Sequence, residues 1–297
     1  MLHYRIVILC LIFVSFSSVV AKSQINTAQF VQTIEDTLPK QSFFKPSKHN
    51  MDKDVFLKQL NESPSFGLGK DNYGITGIPT NTKPTKHNSD VKYQISIRQR
   101  LTKTVLPFNT YSLFIYNQKA FWDIYENSSP FKDINYNPAI GFGKLVFLKD
   151  KISGIVSLMF EHESNGRESI YSRSWNYISI TGVYFFNPML HLQAKVWITF
   201  VSKDNADLID YKGWGFFALN IQNRSRRIRV SLVLNPIKYK NNVNTTLDVS
   251  FKISKNANQY FFIQFYNGYA EGLLNYSNHT SMIRVGVSIK QKFLTIY

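Results

Sequence analysis

From about residue 73 onward, apolar and polar positions alternate in segments of roughly ten residues. Over 189–200 the even positions Leu190, Leu192, Ala194, Val196, Ile198 and Phe200 are apolar, while His191, Gln193, Lys195 and Thr199 hold odd ones. Over 246–254 Leu247, Val249, Phe251 and Ile253 interleave with Asp248, Ser250 and Lys252. Over 283–290 Ile283, Val285, Val287 and Ile289 interleave with Arg284, Gly286, Ser288 and Lys290. A period of two means strands with one apolar and one polar face. The pattern predicts twelve strands, at 73–78, 91–101, 110–125, 137–148, 153–164, 174–186, 189–201, 209–221, 226–235, 244–254, 258–268 and 280–290. Links such as Asn187-Pro188 and Asn223–Ser225 are short enough for hairpins.

The polar faces carry full charges, which a packed sandwich core would not accept at this frequency. Lipid outside and a polar lumen inside account for both faces. The fold class read from the pattern is therefore all-β, a twelve-stranded antiparallel transmembrane barrel of the outer membrane. A soluble sandwich with one solvated face is the structural alternative. The last residues, Lys292 to Tyr297, read as the end of a terminal strand that closes on an aromatic residue, as suits an outer-membrane barrel.

The start of the chain reads as an address. Arg5, an apolar stretch from Ile6 to about Phe16, and Val19-Val20-Ala21 form a secretory signal over residues 1–21. The stretch is short for a spanning helix, which needs roughly 20 apolar residues. Residues 22–72 are polar and mixed, punctuated by Pro39, Pro46 and Pro64, and read as an exposed arm with little regular structure. Residues 73–297 form the barrel domain. Composition adds two exclusions. Cys10 is the only cysteine and lies in the signal, so a disulfide-stapled fold is ruled out. The net charge of +16 would suit nucleic acid or an anionic membrane surface. The basic residues are spread along the chain without a nucleic-acid module, so no nucleic-acid partner is expected.

The candidate chemistry lies in Phe160-Glu161-His162-Glu163-Ser164-Asn165-Gly166-Arg167. His162 and Ser164 continue the apolar parity of Val156, Leu158 and Phe160. On the next strand Asn176 shares the apolar parity of Ile178 and Ile180. A hairpin would bring a hydroxyl, an imidazole and an amide to one outer face near a membrane boundary. Nucleophilic catalysis needs such a set, with the third group orienting the imidazole. A lone His or Ser at a strand end is usually a boundary residue, but three polar groups on the lipid parity are costly and tend to mark function.

The run His162-Glu163-Ser164-Asn165-Gly166-Arg167, followed by Ser172-Arg173-Ser174-Trp175-Asn176, resembles the signature of the outer membrane phospholipase A family. Ser128-Ser129-Pro130-Phe131, Asn135-Tyr136-Asn137-Pro138, Asp204-Asn205-Ala206-Asp207 and Tyr266-Asn267-Gly268-Tyr269 match in order. The resemblance implies a calcium-dependent phospholipase with A1 and A2 activity, active as a homodimer on phospholipid. It implies Ser164 as nucleophile, His162 as base and then acid, Asn176 as orienter, and the Gly166 N–H as an oxyanion donor. It places calcium ligands at the Arg167 carbonyl, the Ser172 hydroxyl and a Ser128 from the partner, with Asp204 binding calcium in the monomer. It also implies that Gln118 hydrogen-bonds in the dimer interface. The connection Glu168-Ser169-Ile170-Tyr171 departs from the turn with Asp and Pro common among relatives. The rival reading is a passive pore or transporter, which predicts functional polar groups in the lumen and no reason for the His162 set to share the lipid parity.

Overall fold

The computed structural model describes residues 64–102, 106–149, 151–201, 205–254, 257–291 and 297. The signal at 1–21 and most of the arm lie outside the described residues. The strands, in chain order, are β1 (Phe66–Leu68), β2 (Asn72–Pro79), β3 (Asp90–Arg100), β4 (Thr110–Trp122), β5 (Phe131–Leu148), β6 (Lys151–Ser164) and β7 (Ser174–Asn187). They continue as β8 (Leu190–Val201), β9 (Gly215–Gln222), β10 (Ile228–Pro236), β11 (Val243–Lys252), β12 (Gln259–Gly268) and β13 (Thr280–Ile289). Each strand from β2 to β13 pairs antiparallel with its sequence neighbour, and β13 pairs with β2 from Ile289↔Asn72 to Met282↔Pro79. The sheet therefore closes into a twelve-stranded barrel with no edge, as a lipid-embedded backbone requires. Past the seam, Thr80 N–H donates to the Ser281 carbonyl at 2.9 Å, and the two hydroxyls lie 2.6 Å apart.

The extra strand β1 lies in the stretch expected to be an arm. It pairs with the same side of β3 as β2, Leu68↔Ile97 against Tyr73↔Gln94, so β1 and β2 are one barrel strand interrupted by a bulge. Ser96 stitches the interruption. Its N–H donates to Asn72 Oδ1 at 2.6 Å, and its Oγ accepts from the Lys70 N–H at 2.7 Å. Only glycine fits at 69, because a Cβ there would lie 2.5 Å from Ser96 Oγ.

The alternation sorts the side chains as the sequence predicts. Outward Phe160 and Ile180 are about half exposed, at 49 % and 53 %, and meet lipid instead of water. Inward positions are polar and paired. Arg284, 1 % exposed, holds Asp90 through Nε and Glu271 through Nη1, both at 2.7 Å. Lys92 Nζ reaches Glu271 at 2.9 Å and Gln264 at 2.7 Å, and Lys290 Nζ reaches Asp71 at 2.5 Å. The loops 80–89, 123–130, 165–173, 205–214 and 269–279 cluster at one end, opposite the two-residue turn 188–189. In outer-membrane barrels the short turns face the periplasm, so the longer loops mark the outer side.

Three expectations change. The strand expected over 209–221 splits into a short helix α1 (Leu208–Lys212) and β9. Leu208 is fully buried in an aromatic cluster with Trp175, Tyr177, Trp197 and Tyr276 at the loop end of the barrel, and tertiary packing overrides the local strand pattern there. β5 begins six residues early, because Asp133 and Asn135 turn inward as lumen residues and break the apolar pattern. The last strand ends at Ile289, not at the terminal aromatic. Tyr297 instead donates its hydroxyl to Asp248 Oδ2 at 2.7 Å, and its carbonyl accepts from Gln193 Nε2 at 3.1 Å, both on lumen positions.

Removing Arg284 would leave two carboxylates facing each other in the lumen. Arg284→Met should lower unfolding stability by about 3–5 kcal/mol, read from the urea midpoint of heat-modifiable mobility in micelles. Outward Val287→Ala should cost less than the arginine substitution.

Candidate active site

The site is built on the β6–β7 hairpin at the long-loop end. His162 pairs directly with Asn176 across the strands, and Ser164 with Ser174. His162, Ser164 and Asn176 are half-buried and share the outer face with exposed Phe160 and Ile178. His162 Nδ1 lies 2.8 Å from Asn176 Oδ1. A carboxamide oxygen only accepts, so Nδ1 carries the hydrogen and the neutral ring keeps its Nε2 lone pair free. Ser164 stands two residues along the same face, roughly 7 Å away along the strand, within the reach of an imidazole.

The other side of His162 is unusual. The register Tyr136↔Ser164 and Ala139↔Glu161 sets Pro138 opposite His162, and the ladder is interrupted there. Proline has no N–H to offer the His162 carbonyl. The Asn137 side chain fills the gap, its Nδ2 donating to His162 O at 2.9 Å. Since that carbonyl faces β5, His162 and Asn176 form the non-hydrogen-bonded kind of pair, in which side chains stand closer. Asn137 is held in turn by Asn117, whose Nδ2 donates to Asn137 Oδ1 at 3.0 Å, and Asn117 Oδ1 accepts from Ser96 Oγ at 2.5 Å.

Glu161 and Glu163 alternate with His162 and Ser164 and point into the lumen. Glu161 takes Tyr177 OH at 2.8 Å, Lys195 Nζ at 2.6 Å and the Ser179 hydroxyl. Glu163 takes Trp175 Nε1 at 2.7 Å and Lys212 Nζ at 3.2 Å. Trp175 and Tyr177 flank Asn176, so the same inner bonds tie together the two strands that carry the outer set.

The loop after β6 folds around Asn165. Its Oδ1 accepts from Arg173 N–H at 3.0 Å and Arg167 N–H at 3.3 Å, and its Nδ2 donates to the Tyr171 carbonyl at 2.9 Å. Gly166 sits at φ +64°, left-handed backbone that favours glycine, and a Cβ would come within 3.0 Å of Tyr136. Arg167 is exposed and donates to the Lys132 carbonyl at 2.7 Å. Ser172 closes a turn, its N–H on the Ser169 carbonyl at 3.0 Å. Ser128 is exposed in the β4–β5 loop at φ +64°. Gln118 lies mid-β4, apart from this loop, accepting from Tyr116 OH at 3.0 Å. Asp204 lies outside the described residues. Its neighbour Asp207 accepts from Tyr276 OH at 2.6 Å, and burial together with this bond pushes the phenol up to about 12.

Residues 70–289 match the family model of phospholipase A1. The chain belongs to the phospholipase A1 family. It is 30 % identical over 217 residues to phospholipase A1 of Escherichia coli K12, covering 69 % of this chain and 71 % of that one. To the Salmonella typhimurium enzyme it is 29 % identical, covering 72 % and 74 %. The outer membrane phospholipase A structure from Escherichia coli superposes with a TM-score of 0.68 at 23 % identity, covering 76 % of this chain and 92 % of that one. A Salmonella typhi outer membrane phospholipase dimer with bound calcium gives 0.67 with the same coverage.

This member of the phospholipase A1 family is thus an enzyme, a phospholipase on an outer-membrane type of barrel. Apart from Asp204, which lies outside the described residues, the donor set consists of neutral oxygens, a carbonyl and hydroxyls, and no cluster of three His, Cys, Asp or Glu side chains that could hold a metal occurs among the described residues. Hard oxygen donors suit calcium, and the Ser172 hydroxyl and Arg167 carbonyl stand on the two limbs of the Asn165-clamped loop with no described protein group engaging them. The residues present fit the ion. Sequence reasoning missed Asn137, although Asn137-Pro138 was in plain view. A proline on an inferred strand, preceded by a side chain able to donate, was the available signal.

Asn137→Ala would leave the His162 carbonyl unpaired opposite a proline. It should cost about 1–3 kcal/mol of unfolding stability and lower turnover. Adding Pro138→Ala restores a backbone donor and should recover part of both losses. Measured unfolding midpoints and rates that do not change in the single variant would remove this bond from the site's support.

Proposed function

We propose that this phospholipase is calcium-dependent, with A1 and A2 positional activity, and cleaves acyl esters through Ser164, His162 and Asn176 on the lipid-facing wall. The observation that carries the reading is the 2.8 Å contact between His162 Nδ1 and Asn176 Oδ1 on the outer face. With Nδ1–H held by Asn176, Nε2 takes the Ser164 proton as Oγ attacks the ester carbonyl. The same proton then passes to the departing lysophospholipid alcohol. Water attacks the acyl-serine in the second half, with His162 again taking and returning the proton. The Gly166 N–H helps hold the oxyanion. Asn176 is neutral, so it contributes orientation and no balancing charge.

The Arg167 carbonyl and Ser172 hydroxyl would hold calcium, together with Ser128 of the partner subunit. When bound there, calcium would supply Lewis-acid polarisation of the ester carbonyl. Asp204 serves a calcium site in the monomer, and Gln118 bonds across the dimer interface. The calcium-bound dimer of the Salmonella typhi relative supports both the metal and the homodimer. In this reading residues 1–21 are a signal removed on export, the arm runs from 22 to about 65, and the chain from β1 onward is the catalytic barrel in the outer membrane.

Phospholipid hydrolysis by refolded protein, with calcium and with chelator, tests the reading as a whole. Ser164→Ala should lose at least about a thousandfold in rate while keeping heat-modifiable mobility, and full activity would sink the assignment. Asn176→Ala should lose on the order of tenfold to a thousandfold with no recovery at high calcium. Ser172→Ala should be partly rescued by added calcium through mass action. Equal rescue of both, or of neither, would mean that one position is misassigned. Calcium and a substrate analogue should each raise the cross-linked dimer fraction, because a ligand favours the state that completes its site.

A further inference from the structure

The lumen behind the β6–β7 hairpin contains a partly open cavity of about 230 Å³. Four lysines line it, Lys70, Lys119, Lys195 and Lys212, with Glu163 and side-chain amides such as Asn135 between them. The acidic side chains are committed. Glu161 pairs with Lys195, and Glu163 with Lys212. Glu271 gives its carboxylate to Lys92 and Arg284, and only its backbone carbonyl to Lys119 Nζ, at 2.9 Å. Lys70 Nζ has no hydrogen bond or ion pair among the described residues, yet its side chain lines the same cavity as Lys195, Lys212 and Glu163. The cavity lining therefore holds four lysine side chains and one carboxylate, Glu163, with the Glu161 carboxylate paired to Lys195 beside it.

The position of Lys70 is built. Four residues, 69–72, span the gap that Ile95 and Ser96 fill on β3, and the bulge turns the Lys70 stem toward the lumen. A continuous strand would have needed no such break. Unbalanced buried charge is costly unless a counter-charge joins it.

We propose that this cavity is a binding site for a small multivalent oxyanion of the phosphate type, held chiefly by Lys70 and Lys119. Several ammonium and amide donors converge from different strands, which suits a ligand with several oxygens better than a halide. The site lies on the opposite side of the barrel wall from His162 and Ser164, and it does not depend on how the ester is cleaved.

The test uses the full mature chain refolded in zwitterionic micelles with chelator present, and inorganic phosphate as probe against chloride at equal ionic strength. Phosphate should raise the urea midpoint by linkage and broaden its ³¹P resonance saturably. Lys70→Met and Lys119→Met should each weaken the apparent phosphate affinity by roughly tenfold, the loss of one charge-assisted bond. In phosphate-free buffer Lys70→Met should unfold no more easily than the parent, because it removes an unbalanced charge. Lys83→Met, in the exposed 80–89 loop, is the control and should leave the affinity unchanged. An equal response to chloride, no saturable signal in the parent, or unaltered affinity in both lumen variants would each overturn the proposal.

Discussion

A β-strand turns consecutive side chains to opposite sides, and the arrangement of this enzyme follows from that constraint. On β6 the order Glu161, His162, Glu163, Ser164 alternates lumen and lipid. The groups proposed for chemistry meet the membrane, where the substrate is. The groups that hold their strands in place meet a polar interior, where charges can be paired. Because the two sets are neighbours along the backbone, each inner bond is transmitted to the outer face through a single peptide unit. Trp175 and Tyr177 do the same for Asn176 on β7.

The lumen correspondingly serves as a structural interior. Among the described residues, Arg284, Lys92 and Lys290 are bound to carboxylates, and α1 packs with its aromatic neighbours at the loop end. A pore would keep such groups solvated along an open path. Here they stitch strands that are distant in sequence, as when Lys92 on β3 reaches Glu271 in the last loop.

Much of this was legible in the sequence because period-two alternation is a local signal. The barrel, the strand order and the outward parity of His162, Ser164 and Asn176 could be read from neighbouring residues alone. What escaped was non-local. The helix at Leu208 exists because Trp175, Trp197 and Tyr276 surround it, and its own stretch looks like strand. The inward turn of Asp133 is explained by the Leu273 and Leu274 amides it accepts, on a loop far along the chain. β1 was hidden because a bulge breaks its parity just where β2 begins. Asn137 escaped because its task depends on register: only the pairing of β5 with β6 reveals which carbonyl a proline has left unserved.

The seam between β2 and β13 sets a schedule for assembly. Pro79 meets Met282, so the first full strand of the barrel waits for almost the last part of the polypeptide before its open side is covered. Loop closure over such a separation is slow, and an unpaired strand edge meanwhile is a template for the wrong neighbour. The Thr80–Ser281 contacts lie just beyond the seam and form only when the register is correct. A chain that paired one residue out of step would place every lumen charge of β13 against lipid, so a misregistered barrel would be rejected by the membrane itself.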